Sequence, residues 1–124
     1  VKLYKYKSLF YPFPNPHIRT TGFMIKGSDY VKFIHNKSIK SKIDAWIIES
    51  GKNSLTNYFK KLNFKIYVIN SDGEKFLENK WKESQTYNYL EQKKSIISDN
   101  HIRKYILLNK SDKLISEFNT WGRG

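Results

Sequence analysis

Pro12, Pro14 and Pro16 alternate through residues 11–16, and no regular element can run through them. Each ring fixes its own φ and pushes the residue before it toward extended backbone, so the chain must take an extended or turning path here. The next nine residues are chemically dense. His17-Ile18-Arg19-Thr20-Thr21-Gly22 sets an imidazole, a guanidinium and two hydroxyls against the apolar run Phe23-Met24-Ile25. Ile18 to Ile25 reads as a strand, with Gly22 allowing close backbone approach. Polar groups launched from the mouth of a buried strand are a common way to build a ligand site.

The pattern then turns helical. Ser28-Asp29 can cap a short helix through about Asn36 that buries Val31, Phe33 or Ile34. Ile39, Ile43, Trp46 and Ile47 form a helical stripe that should end near Gly51. Ser54 can cap the next helix, with Leu55, Tyr58, Phe59 and Leu62 as its apolar face and Asn63 in the left-handed conformation that stops it. Lys65–Ile69 reads as a strand closed by a Ser71-Asp72-Gly73 turn. Residues 74–88 are poorly patterned around Trp81, and 89–98 are expected to be helical. Two further helices come after, over about 101–108 and from a Ser111 cap to Trp121, with Gly122 as the stop. The order of elements predicts an α/β or α+β fold, a single domain over 1–124 with few strands and several helices packed on them. So few strands, and an opening at Val1 in mid-pattern, lead to the expectation of a piece of a longer protein.

Composition narrows the classes. The chain has 124 residues, enough for one domain with an ordinary core. No window approaches the roughly 18 apolar residues of a membrane span. The basic, aromatic start Val1-Lys2-Leu3-Tyr4-Lys5-Tyr6-Lys7 lacks the apolar run of a signal peptide. Zero cysteines exclude disulfides and thiolate metal sites and fit a reducing, cytoplasmic setting.

The net charge is +12, but 20 of the 23 basic residues are Lys and Ala45 is the only alanine, a skew that an AT-rich genome produces. Distribution is more telling. Residues 1–62 hold 12 basic and 3 acidic residues against 11 and 8 in 63–124, or +9 against +3. That excess favours an anionic partner (a nucleotide phosphate, a lipid headgroup or nucleic acid) unless it is simply a solvated lysine surface.

Two segments carry candidate chemistry. In the first, His17 supplies an acid/base group and Arg19 a planar fork suited to phosphate or carboxylate, with Thr20 beside them. The alternative is a strand end at the surface with Arg19 in a salt bridge. In the second, Glu49 sits at a helix C-terminus, where the dipole disfavours a carboxylate and thereby suits a general base; a solvated Glu is the plain alternative. Ser54 and Thr56 at the following helix start can hold an anion on exposed amides, though capping by Ser54 explains the pattern nearly as well. Asp99-Asn100-His101 reads first as a cap, second as groups reaching a metal-bound diphosphate. There is no Walker loop, dinucleotide fingerprint, zincin helix, nucleophile elbow or Asp-x-Asp pair.

Taken in order, His17-Ile18-Arg19-Thr20 with Phe23-Met24, Glu49-Ser50-Gly51 with Ser54-Leu55-Thr56, then Asp72-Gly73, Trp81, Gln92 and Asp99-Asn100 resemble the C-terminal part of bacterial glycosyltransferase-like proteins of cell-surface polysaccharide synthesis. The likeness covers about residues 14–122. It implies a GT-A-like half in a transferase that uses a nucleotide-diphospho-sugar donor and a glycan or lipid-linked acceptor. It also implies a divalent metal, Mg or Mn, in the full-length protein, although this chain lacks the acidic motif that would hold it. By position, Glu49 matches the base of inverting members. His17, Arg19 and Thr20 would line the pocket with Ser54 and Thr56, and Asp99 with Asn100 would close it. Two rivals remain: a basic nucleic-acid-binding module stacking aromatics such as Tyr4 and Tyr6 on bases, and an inactive adaptor docked on an anionic membrane at the inner face of the cell.

Overall fold

A computed structural model of the chain describes residues 4–123, which divide into two compact units: residues 4–12 with 17–64, and 13–16 with 65–123. Among these residues, five α-helices and one small sheet make a mixed α+β structure, poorer in strand than an α/β protein. No helix among the described residues is long and apolar enough to cross a membrane. The basic opening at residues 1–3 lies outside the described residues, as do the side chains of residues 4–6 on which the base-stacking reading rests.

The first unit is helical. A 3-10 turn, Tyr4–Leu9, leads into the proline run, and helices α1 (Gly27–Ile34), α2 (Lys42–Ser50) and α3 (Leu55–Lys61) come next. Its core is aromatic. Phe33 is buried on α1, and its ring lies 5.1 Å from Tyr58 and 6.3 Å from Phe59 of α3. Tyr58 and Phe59 meet edge-to-face at 4.9 Å, as do Phe59 and Phe64 at 5.0 Å. Each such pair adds about 0.5–1.5 kcal/mol beyond the area it buries.

Helix starts follow local chemistry. At α2, Ser41 and Asp44 form a reciprocal capping box, so Ile39 falls outside the helix that its spacing suggested. Ser54 caps α3 by accepting from the Asn57 amide. The start of α1 differs from expectation. Its cap position is Lys26, with no side-chain cap bond, and Ser28-Asp29 lie inside the first turn. Asn63 adopts φ 62° after α3, as its side chain permits.

The expected strand over Ile18–Ile25 is absent: the segment forms no ladder and turns at Thr20-Thr21-Gly22. Gly51 ends α2 with φ −72°, so left-handed freedom is not its purpose. Clearance is. A Cβ at residue 51 would stand 2.6 Å from the Ile47 carbonyl oxygen and 3.1 Å from that of Leu9, and Gly51 forms an isolated antiparallel bridge with Phe10.

In the second unit, β1 (Val68–Ile69) pairs antiparallel with β2 (Lys75–Phe76) around a turn in which Gly73 has φ 77°. The strand expected over Lys65–Ile69 is thus reduced to its last two residues. A 3-10 stretch, Glu78–Ser84, buries Trp81, whose indole Nε1 donates to the Ile66 carbonyl at 3.3 Å. Residues 89–98 are a turn-rich loop, not a helix. Asn88, Leu90 and Gln92 all take positive φ, and the loop is held from inside by polar side chains. The Gln92 side chain accepts from the Asn88 amide at 2.8 Å and donates to the Ile102 carbonyl at 3.2 Å, while the Asn88 amide group donates to Thr120 Oγ1 at 2.9 Å. Helices α4 (Asn100–Leu107) and α5 (Lys110–Trp121) close the chain. Asn109, rather than Ser111, caps α5, and Gly122 stops it at φ 78°.

Candidate functional site

The first unit brings the two chemical segments together. Residues 17–20 run beside the end of α2 and the start of α3, fastened by side chains in place of a backbone ladder. Thr56 Oγ1 accepts from the Ile18 amide at 2.8 Å. Two residues further on, Glu49 Oε1 accepts twice from Thr20, from its amide at 3.1 Å and its hydroxyl at 3.0 Å. Glu49 is half-buried, and its second oxygen, Oε2, takes no hydrogen bond among the described residues. The carboxylate is therefore oriented through one oxygen.

The α2–α3 connection is rigid for a local reason. Asn57 donates from its amide nitrogen to the carbonyls of Gly51 and Lys52, each at 3.2 Å, while its own backbone N–H is held by Ser54. Backbone from Leu9 crosses the same corner, accepting from the Lys52 amide at 2.8 Å. Glu49 thus sits on the last turn of a helix whose end is tied from two sides. Asn57 escaped the sequence reading, yet a polar residue three places after a capping serine was its visible signal.

Each candidate residue has a definite place. His17 and Arg19 flank Ile18 and are half-buried, while Thr20 is exposed. Ser54 and Thr56 are each only 1% exposed, and their hydroxyls serve the α3 cap and the Ile18 amide. They support the site from beneath. Asp99 and Asn100 belong to the second unit. There Asp99 Oδ1 caps α4 by accepting from the Ile102 amide at 3.0 Å, and Asn100 receives the Arg103 guanidinium. The described residues gather no group of three His, Asp or Glu side chains that could hold a metal ion.

Comparison with protein-family models, with curated proteins and with solved structures returns no match for this chain. The functional reading rests on the residues themselves. A half-buried carboxylate with one oxygen held by Thr20 can accept a proton, and the extended segment that holds it also carries an imidazole and a guanidinium, groups able to donate to an anion.

Proposed function

We propose that this chain is the acceptor-side portion of a GT-A-like glycosyltransferase, in which Glu49 is the general base. The observation that carries the reading is the double hydrogen bond from Thr20 to one oxygen of Glu49, with no hydrogen bond to the other among the described residues. The order of motifs along the chain, from His17 to Asn100, supports the same class.

In this mechanism Oε2 of Glu49 takes the proton of an acceptor hydroxyl. The hydroxyl oxygen forms its new bond to the anomeric carbon of the donor sugar as the bond to the diphosphate oxygen breaks. The nucleoside diphosphate leaves with the electron pair, and the configuration at the anomeric carbon inverts. Arg19 and His17 supply donors for the departing phosphate oxygens; a planar guanidinium can take two of them at once. Thr20 is a positioning residue that fixes the rotamer of the carboxylate. A divalent metal, where the full-length protein binds one, would neutralise the diphosphate.

The test is release of nucleoside diphosphate by the full-length protein, offered a panel of nucleotide sugars, with and without Glu49→Gln. The amide oxygen of Gln can still accept both Thr20 bonds, so melting should be unchanged while turnover falls about 10²–10⁴-fold. Unaltered turnover in that variant removes Glu49 from its role. Failure of the wild-type protein to consume any nucleotide sugar sinks the class.

A further inference from the structure

The approach to α1 exposes large apolar side chains. Met24 is 100% exposed, Phe23 beside it 42%, and Val31 on the helix 57%. Phe23 and Met24 stand just ahead of α1 and Val31 in its first turns: the Phe23 ring lies 5.7 Å from that of Tyr30, the residue before Val31, and Tyr30 lies 6.5 Å from the buried Phe33. Lys26 directly precedes α1 and Lys32 directly follows Val31; both are exposed and neither joins an ion pair among the described residues. Between residues 19 and 43 the chain holds six basic residues and one acid, Asp29.

We propose that this stretch of the first unit docks on an anionic lipid bilayer. Met24, Phe23 and Val31 enter the boundary between headgroups and acyl chains, while Lys26 and Lys32 meet lipid phosphates. Such docking is independent of the transferase reading. Charge complementarity selects a membrane over an apolar partner, because the apolar tips are bracketed by unpaired lysines. Aliphatic side chains at two of the three tips, with Met24 fully exposed and Phe23 engaged with Tyr30, favour it over nucleic acid, since Met24 and Val31 offer no flat face for a base. Lysine stems suit the role, their methylenes lying in the boundary with the ammonium in water. Apolar insertion and a basic patch together supply two signals, where one alone gives only marginal binding.

Co-sedimentation of the full chain with vesicles tests this, using phosphatidylcholine alone and with about 30% phosphatidylglycerol. Wild-type protein should pellet only with the anionic vesicles, and less so as salt rises. Lys26→Glu with Lys32→Glu should weaken partition by about 25-fold or more, roughly fivefold for each lysine lost. Phe23→Ser with Met24→Ser, which leaves the charge intact, should weaken it by about tenfold. A control pair in the second unit, Lys104→Glu with Lys110→Glu, changes net charge equally and should bind nearly as wild type. The proposal fails if the wild type ignores anionic vesicles, if the control weakens binding as much as the patch pair, or if the serine pair binds undiminished. Tighter binding to a single-stranded oligonucleotide than to vesicles, lost in the Lys26/Lys32 variant, also overturns it in favour of nucleic acid.

Discussion

Replacing Thr56 by Val swaps a hydroxyl for a methyl of nearly the same shape at a site only 1% exposed. The hydroxyl oxygen is the acceptor for the Ile18 amide at 2.8 Å, and Ile18 is itself half-buried, so the variant leaves a partly buried N–H without a partner. Orphaning a buried donor costs about 1–3 kcal/mol, and incomplete burial of Ile18 places the expectation in the lower half, near 1.5 kcal/mol. For a chain of this length that lowers the melting temperature by roughly 4–8 °C. The site-specific readout is amide exchange. Protection at Ile18 should fall by about tenfold, since 1.4 kcal/mol is one decade in an opening equilibrium. Thr56→Ser is the control that separates hydroxyl from methyl. It keeps the acceptor and opens a small void, so it should destabilise by about 1 kcal/mol yet leave Ile18 protected. If Thr56→Val melts with the wild type and Ile18 exchanges no faster, side-chain fastening of this segment is wrong, and with it the placement of Thr20 against Glu49.

Two further predictions concern other parts of the fold. The Asp44 carboxyl is held below its ordinary 3.8, first by the hydrogen bond from the Lys40 amide and then by those from Ser41. Because the folded form binds its proton less readily than the unfolded chain, its contribution is complete above pH 3.8 and is lost as pH falls through the lower folded value. Denaturation of Asp44→Asn should therefore show a shallower loss of stability across the acid range, and an acid profile identical to the wild type would deny the capping box any part in stability. In the second unit, Trp81→Phe removes the indole donor to the Ile66 carbonyl and leaves space around a buried ring. Urea unfolding should register a loss of about 2 kcal/mol, and a neutral result would mean that Trp81 is not the keystone of its core.

Helices were the legible part of this sequence, because caps and apolar spacing are local. Ser54, Gly51, Asn63 and Gly122 marked ends that exist, and Phe59 was recognised as core, whereas Phe33 was one of three alternatives on its helix with Val31, which is exposed, and Ile34. The reason assigned to Gly51 differs, since crowding between two backbones cannot be read from neighbouring residues. The Ile18–Ile25 segment misled for a related cause. Its composition suits a strand, but strandhood depends on a partner, and its partners turned out to be Thr56 and Glu49 side chains. Residues 89–98 hid their structure more completely. Left-handed backbone at Leu90 and Gln92 has no sequence signature, and it persists because Asn88, Gln92 and Thr120 satisfy one another internally. Candidate residues 17, 19, 20 and 49 were found by their chemistry, and only folding revealed that Thr20 touches the acid.

The bonds of a β-ladder belong to the main chain, so apart from proline, which removes an N–H, a substitution leaves each of them its donor and acceptor. Here the strap over residues 17–20 is buttoned by a hydroxyl and a carboxylate, each encoded separately. Its tension can be slackened or tightened one atom at a time, which leaves evolution, or an engineer, a graded control over the reach of His17 and Arg19 without rebuilding the helices below.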